Sequence, residues 1–179
     1  MNHQIVSFYH KHLNPEIKEL QKKAFDKIEV ELIQFEFEGT HGSAIKSFLD
    51  NNDWDLVTLF DVDCIPKDRK VFQTVIDLVD DNTIYGNAQV SNAYPYAAPS
   101  FVSFTRNLYE NSPHKNFEGM YYPNEHGNHV EADCGEVFVK ENLRIGKKQI
   151  LSYPISVIRL PEAQSIFINY VKEFLDEKN

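Results

Sequence analysis

The apolar residues change period several times along the chain. Ile5 to Tyr9 is a short apolar run and predicts a first strand. Asn14 followed by Pro15 marks a helix start: a capping side chain stands ahead of a proline at the first helical position. Ile17, Leu20 and Ala24 follow at helical spacing. From Lys27 to Phe35 the residues Ile28, Val30 and Leu32 alternate, then come Ile33 and Phe35, which predicts a second strand. Thr40 can cap a helix in which Ala44, Ile45, Phe48 and Leu49 share one face. Leu56 to Phe60 is apolar on both faces, as in a central strand covered by helices on either side. Pro66 then opens a helix with Val71, Phe72, Val75, Ile76 and Val79 inward, and Thr83 to Val90 reads as a fourth strand.

Strands alternating with helices predict an α/β fold: a Rossmann-type sandwich with a mostly parallel central sheet and helices on both faces. The second half departs from the alternation. Ala98 to Thr105 reads as a strand leading into a short helix, Arg106 to Glu110. Residues 111 to 132 form a long polar and aromatic loop, and loops of that length are usually functional or mobile. Asp133 to Asn142 predicts a short helix, Lys147 to Ile158 a strand pair around Pro154, and Pro161 to Glu177 a final amphipathic helix. No repeat or Gly/Ser-rich linker divides residues 1–179, so one domain is expected.

Composition narrows the function classes. The 179 residues are 42% hydrophobic and 25% charged, ordinary for a globular chain and unlike a disordered tail or coiled coil. Lys plus Arg is 18 against 27 Asp plus Glu, so the net charge is 18 − 27 = −9. Such a surface repels phosphate backbones, so nucleic acid is not the expected partner. No apolar run approaches the roughly 20 residues of a membrane span. Met1 to Tyr9 lacks the basic and long apolar segments of a signal peptide. A cytoplasmic location is expected. Cys64 and Cys134 form no CxxC, which fits a reducing compartment and small buried residues flanking a site.

Chemistry concentrates in Leu59-Phe60-Asp61-Val62-Asp63-Cys64-Ile65-Pro66. Asp61 and Asp63 stand two residues apart at the C-terminal end of the buried strand, the edge where open α/β sheets bind ligands. In an extended chain they point to one side. Like charges so close destabilise each other unless a proton or cation intervenes, and Mg²⁺ or Mn²⁺ accepts such oxygen ligands. The bare pattern is common: Asp53-Trp54-Asp55 repeats it before the strand, where solvated carboxylates are expected. The bland reading of the first copy is a turn Asp plus a helix N-cap.

The buried strand, its Asp-x-Asp and the preceding Thr40-His41-Gly42-Ser43-Ala44-Ile45-Lys46 resemble a GT-A-fold glycosyltransferase in the short form encoded by bacteriophages. The resemblance covers residues 3 to 140. It implies a nucleotide-diphosphate-sugar donor, by default a UDP-hexose, and an acceptor hydroxyl of unknown identity. It implies a Mn²⁺ or Mg²⁺ ion at Asp61 and Asp63, with Val62 between them also at the donor. His41 and Gly42 match the segment packing near the nucleotide. Phe8 and Tyr9 match the place of the base, with core packing as their alternative. Asn87 and Gln89 match the donor side of the next strand, and the Tyr94 to Ser100 turn offers Tyr94 and Tyr96 as stacking faces. Asp133 matches the position of the acceptor's general base, although Ala132 replaces the middle acid of Glu131-Ala132-Asp133. Its structural alternative is a helix N-cap boxed with Glu136. His126 and His129 are loop candidates, with His129 favoured as metal ligand or donor contact. Lys46 and Arg106 are expected to meet the diphosphate charge.

Two alternatives stay open. Nucleotidyl or phosphoryl transfer also uses paired carboxylates, but Tyr9 to Asn14 contains no glycine to cradle a triphosphate, and GxxxxGK[ST] is absent. A non-catalytic module could hold a nucleotide sugar without turnover. A homodimer docking through the 161–177 helix could complete the acceptor side.

Overall fold

The computed structural model describes residues 1–91, 94–123, 129–152 and 163–177, with backbone alone at 91, 94, 121–123, 129, 130, 163 and 164. Strand β1 (His3–His10) leads into α1 (Pro15–Lys27), whose first turn is capped by Asn14 accepting from the Glu16 amide. Strand β2 (Ile33–Phe37) leads into α2 (His41–Asn51), capped by Thr40 accepting from the Ser43 amide. Next come β3 (Leu56–Asp61), α3 (Lys70–Leu78), β4 (Thr83–Ser91), β5 (Tyr94–Thr105) and α4 (Arg106–Glu110). The chain ends with β6 (Met120–Pro123), β7 (His129–Ala132), α5 (Glu136–Arg144), β8 (Lys148–Ser152) and α6 (Ala163–Asp176).

The six-stranded sheet runs β2-β1-β3-β5-β4-β8. Strand β1 is parallel to β2 and β3, and β4 is parallel to β8, while β5 is antiparallel to both β3 and β4. Five strands therefore share one direction and β5 alone opposes them. Register slips between Gly86 and Asn87, where β5 carries extra residues. A Cβ on Gly86 would lie 2.6 Å from the Phe101 carbonyl oxygen, so only glycine lets the bulged strand cross there.

Alternation along β3 divides the core between two faces. Val57 and Leu59 pack with Phe48 of α2, Leu108 of α4 and Phe138 of α5. Leu56 and Phe60 pack on the opposite face with Phe25 of α1 and Phe72 of α3. The C-terminal helix adds a third cluster, Phe167 and Val171 against Ile17, Leu20 and Ala24 of α1. Lys27 donates to the carbonyls of Phe174 and Glu177, filling acceptors that the end of α6 leaves open.

Several expected elements shift. Lys27 belongs to α1, and the second strand begins only at Ile33 and runs to Phe37. Ile28 and Val30 pack against the Phe25 cluster from a turn in which Glu29 takes φ 56°. Helix α3 starts at Lys70 rather than Pro66, its first amide held by the Asp68 carboxylate. Ile76 is 44% exposed rather than inward. The expected 111–132 loop contains the β6–β7 hairpin, and the Tyr94–Ser100 turn is part of β5. Of the pair expected at 147–158, β8 is described, and Pro154 lies outside the described residues. No helix among the described residues is long and apolar enough to cross a membrane.

Candidate functional site

At the C-terminal edge of the parallel strands, β3 ends at Asp61 and the chain turns at once. The Cys64 amide donates to the Asp61 carbonyl at 3.0 Å, which closes a turn over Asp61-Val62-Asp63-Cys64. The two carboxylates are therefore presented by a turn rather than by one side of an extended strand. Gln21 of α1 fixes this turn from beneath: its amide nitrogen donates to the carbonyls of Asp61 and Cys64, both at 2.9 Å. Val62 and Ile65 point down into the α1–α6 apolar cluster. Burial pushes the Cys64 thiol well up, and the negative charges of Asp61 and Asp63 add to the effect. This sulfur is therefore a packed thiol rather than a reactive thiolate.

A cavity of about 290 Å³ opens beside the turn, lined by Phe8, Tyr9, His10, Leu13, Ile17, Phe37, His41, Asp61, Val62 and Asp63. Six of these were expected at the site from sequence; His10, Leu13, Ile17 and Phe37 were not. Phe37 escaped because the alternation placed the end of its strand two residues early. The walls are mostly aromatic and apolar. His41 stacks on Phe37 with ring centroids 5.9 Å apart and 14° between planes. Its Nε2 lies 3.8 Å from Asp61 Oδ1 and has no hydrogen-bond partner, although the atom is buried. Among the described residues no Lys or Arg lines the cavity. Lys11 is instead paired with Glu38, and Lys18 sits over the Tyr9 ring.

Gly42 lies behind His41. A Cβ there would come within 2.5 Å of the Phe117–Glu118 backbone, so its role is close packing of α2 against that segment. Thr40 also bonds Glu118 there. Gln89 and Asp133 meet each other: the Gln89 amide donates to Asp133 Oδ2 at 2.6 Å, and Oδ1 accepts from the Cys134 amide. Glu136 accepts from the Asp133 amide, giving half of the expected capping box, while Gly135 at φ 73° is the actual N-cap of α5. Asn87 is buried and donates toward Ser100 of β5. One strand separates β3 from β4, which puts the two roughly 10 Å apart along this edge.

Other expected contributors lie elsewhere. Arg106 follows the antiparallel strand and so emerges at the opposite edge. Its guanidinium donates to the carbonyls of Trp54 and Asn52, roughly 20 Å from Asp61 at ~3.3 Å per residue. It cannot meet a diphosphate at the acidic turn. Lys46 is paired with Asp50 one turn further along α2, away from the sheet edge that carries His41. Tyr96 is fully buried, with its hydroxyl toward the Cys134 carbonyl, and offers no stacking face. His129 opens β7 by its backbone, and its side chain and all of His126 lie outside the described residues. Among the described residues no three His, Cys, Asp or Glu side chains are grouped to hold a metal by themselves.

No family model matches the chain. Comparison with curated protein sequences finds no match either. Among solved structures, the chain is similar to A197 from STIV, with a TM-score of 0.50 at 11% identity, over 83% of this chain and 82% of that one. It is also similar to the bifunctional IspDF from Campylobacter jejuni, with a TM-score of 0.51 at 10% identity, over 87% of this chain. It spans 50% of the IspDF chain. These likenesses concern the fold alone, a GT-A-like, Rossmann-type α/β sandwich.

Proposed function

We propose that the chain is a metal-dependent glycosyltransferase that moves a sugar from a nucleotide-diphosphate donor, by default a UDP-hexose, to a hydroxyl acceptor. The observation that carries the reading is the charge of the cavity. Among the described residues its wall contains two carboxylates and no Lys or Arg, so a diphosphate entering there calls for a cation beside Asp61 and Asp63. Both are hard oxygen donors, and a Mg²⁺- or Mn²⁺-type ion commonly takes only one or two protein carboxylates plus phosphate oxygens and water. The lack of a three-residue cluster is thus compatible with this chemistry. A bound divalent ion would offset charge on the leaving diphosphate.

The chain's own residues supply the rest. Tyr9 and Phe37 are the half-buried rings of the wall on which a base can stack, while Phe8, 3% exposed, packs behind them in the core. His41 Nε2 is buried at the same wall, 3.8 Å from Asp61 Oδ1, where it faces that carboxylate. Asp133 is the general base that takes the acceptor's proton. Gln89 and the Cys134 amide orient it. A sugar would lie between the turn at Asp61 and Asp133.

The test is calorimetric titration of UDP with Mn²⁺ and then with EDTA, using Asp63→Ala as control. Metal-dependent binding lost in the variant is the expected result, followed by turnover in a nucleotide-sugar hydrolysis screen. Equal binding in EDTA would remove the metal role. Tighter binding of a nucleoside triphosphate with release of pyrophosphate would favour nucleotidyl transfer on the same turn.

A further inference from the structure

Gln21 is a polar side chain inside an apolar stripe. It shares the inward face of α1 with Ile17, Leu20, Ala24 and Phe25, and it is 0% exposed. A buried amide is costly unless every polar atom finds a partner. Here each does, across long stretches of sequence. The two amide hydrogens go to the carbonyls of Asp61 and Cys64, 40 and 43 residues away. The Oε1 atom accepts from Gln34 Nε2 of β2 at 3.3 Å, and the same Gln34 nitrogen also donates to the Lys18 carbonyl at 2.9 Å. This network sets the sense of the amide, since a flipped Gln21 would aim its oxygen at two carbonyls.

We infer that Gln21 is a positioning residue: it holds the Asp61–Cys64 turn in the one arrangement that presents both carboxylates to the cavity. The turn is closed by a backbone hydrogen bond from the Cys64 amide to the Asp61 carbonyl. Gln21 bridges the same two residues from outside, tying the first and last peptide units of the turn to α1. Val62 points into the apolar cluster beneath, so the turn is anchored from below while Asp61 and Asp63 face the cavity. The consequence for ligand binding rests on the metal-diphosphate reading above. The clamp itself does not.

Hydrogen exchange read by mass spectrometry tests the clamp without any ligand. Gln21→Met keeps length and flexibility and removes both donors. The expected result is exchange about tenfold faster at the Cys64 amide, with the interior amides of β1 and β3 unchanged. Unchanged protection at Cys64 in a folded Gln21→Met protein overturns the inference. If that variant does not fold, Gln34→Leu frees the amide from its orienting partner. A smaller acceleration confined to residues 61–64 then supports the clamp, and none overturns it. Calorimetry with UDP and Mn²⁺ adds the functional arm, where Gln21→Met, measured well below its own melting temperature, should bind about tenfold more weakly. Faster exchange with unweakened binding would overturn the positioning role toward ligand. A wild-type protein that ignores UDP and Mn²⁺ would sink the metal reading and leave the exchange result to decide the clamp.

Discussion

Strand β3 carries an Asp-x-Asp pair at each end, and the two pairs share little beyond their spacing. Asp53-Trp54-Asp55 lies at the N-terminal edge. Asp55 accepts from the Asn2 amide at 2.7 Å, and the Asp53 carbonyl accepts from the Asn2 side chain. Trp54 between them is fully buried, with its indole N–H on the Leu49 carbonyl and the Arg106 guanidinium over its ring. At the C-terminal edge, Asp61 and Asp63 flank a cavity, and Val62 between them both lines that cavity and packs on the apolar cluster beneath. One pair fastens the N-terminal segment to the sheet. The other is fastened by Gln21 so that its carboxylates face open space. Identical spacing carries opposite meaning, and the deciding feature is which end of a parallel strand the pair occupies.

The contrast can be broken from either end. Trp54→Ala should have the largest effect, a loss of about 3–5 kcal/mol of stability from the cavity left in the core. Denaturant unfolding measures it, and a loss under about 1 kcal/mol would deny the N-terminal edge its structural role. Asp63→Ala should do the reverse, weakening UDP–Mn²⁺ binding at least about a hundredfold, or ~2.7 kcal/mol. Its stability should stay within about 0.5 kcal/mol of the parent.

His3 offers a third handle. Its Nε2 meets Thr58 Oγ1 at 2.8 Å, and burial pushes its pKa from 6.5 down to about 4. The folded state thus favours the neutral ring, while the unfolded chain binds a proton below pH 6.5. Stability should be full above that pH and fall as the pH drops from 6.5 toward 4. The full shift is about 3 kcal/mol, reduced to roughly 1–2 kcal/mol because the ring is only half-buried and screened by solvent. His3→Gln should flatten this slope in urea melts taken across the range. Asp53→Ala should do least. Its side chain is 98% exposed and 4.0 Å from Arg106, so stability and UDP binding should both stay near the parent values.

The half of the molecule before Thr83 is largely legible from sequence, because its signals are local. Asn14 and Thr40 cap where expected, and the Leu56–Phe60 run, apolar but for Thr58, is a central strand. What sequence concealed is direction. Reading β5 as one more parallel strand would put Arg106 at the ligand edge. Its antiparallel course puts Arg106 beside Trp54. Pro95 and Pro99 disguised the length of β5, and its bulge over Gly86 has no periodic signature. In the site, Asp61, Asp63 and His41 follow from their places at element ends. Gln21 could not be found by that route, because a glutamine within a helical stripe gives no sign of the carbonyls it will meet forty residues later.

The reversed strand also bears on the order in which the chain can be assembled. Strands β3 and β4 do not pair with each other; each hydrogen-bonds to β5, which is made after both. A nascent chain that has emerged only through β4 carries β3 with one flank paired and the other bare, along Leu56 to Phe60. That flank is an apolar template to which another unfinished chain could pair. The β3 edge therefore stays open during synthesis until Tyr94 to Thr105 has been made and can pair with it.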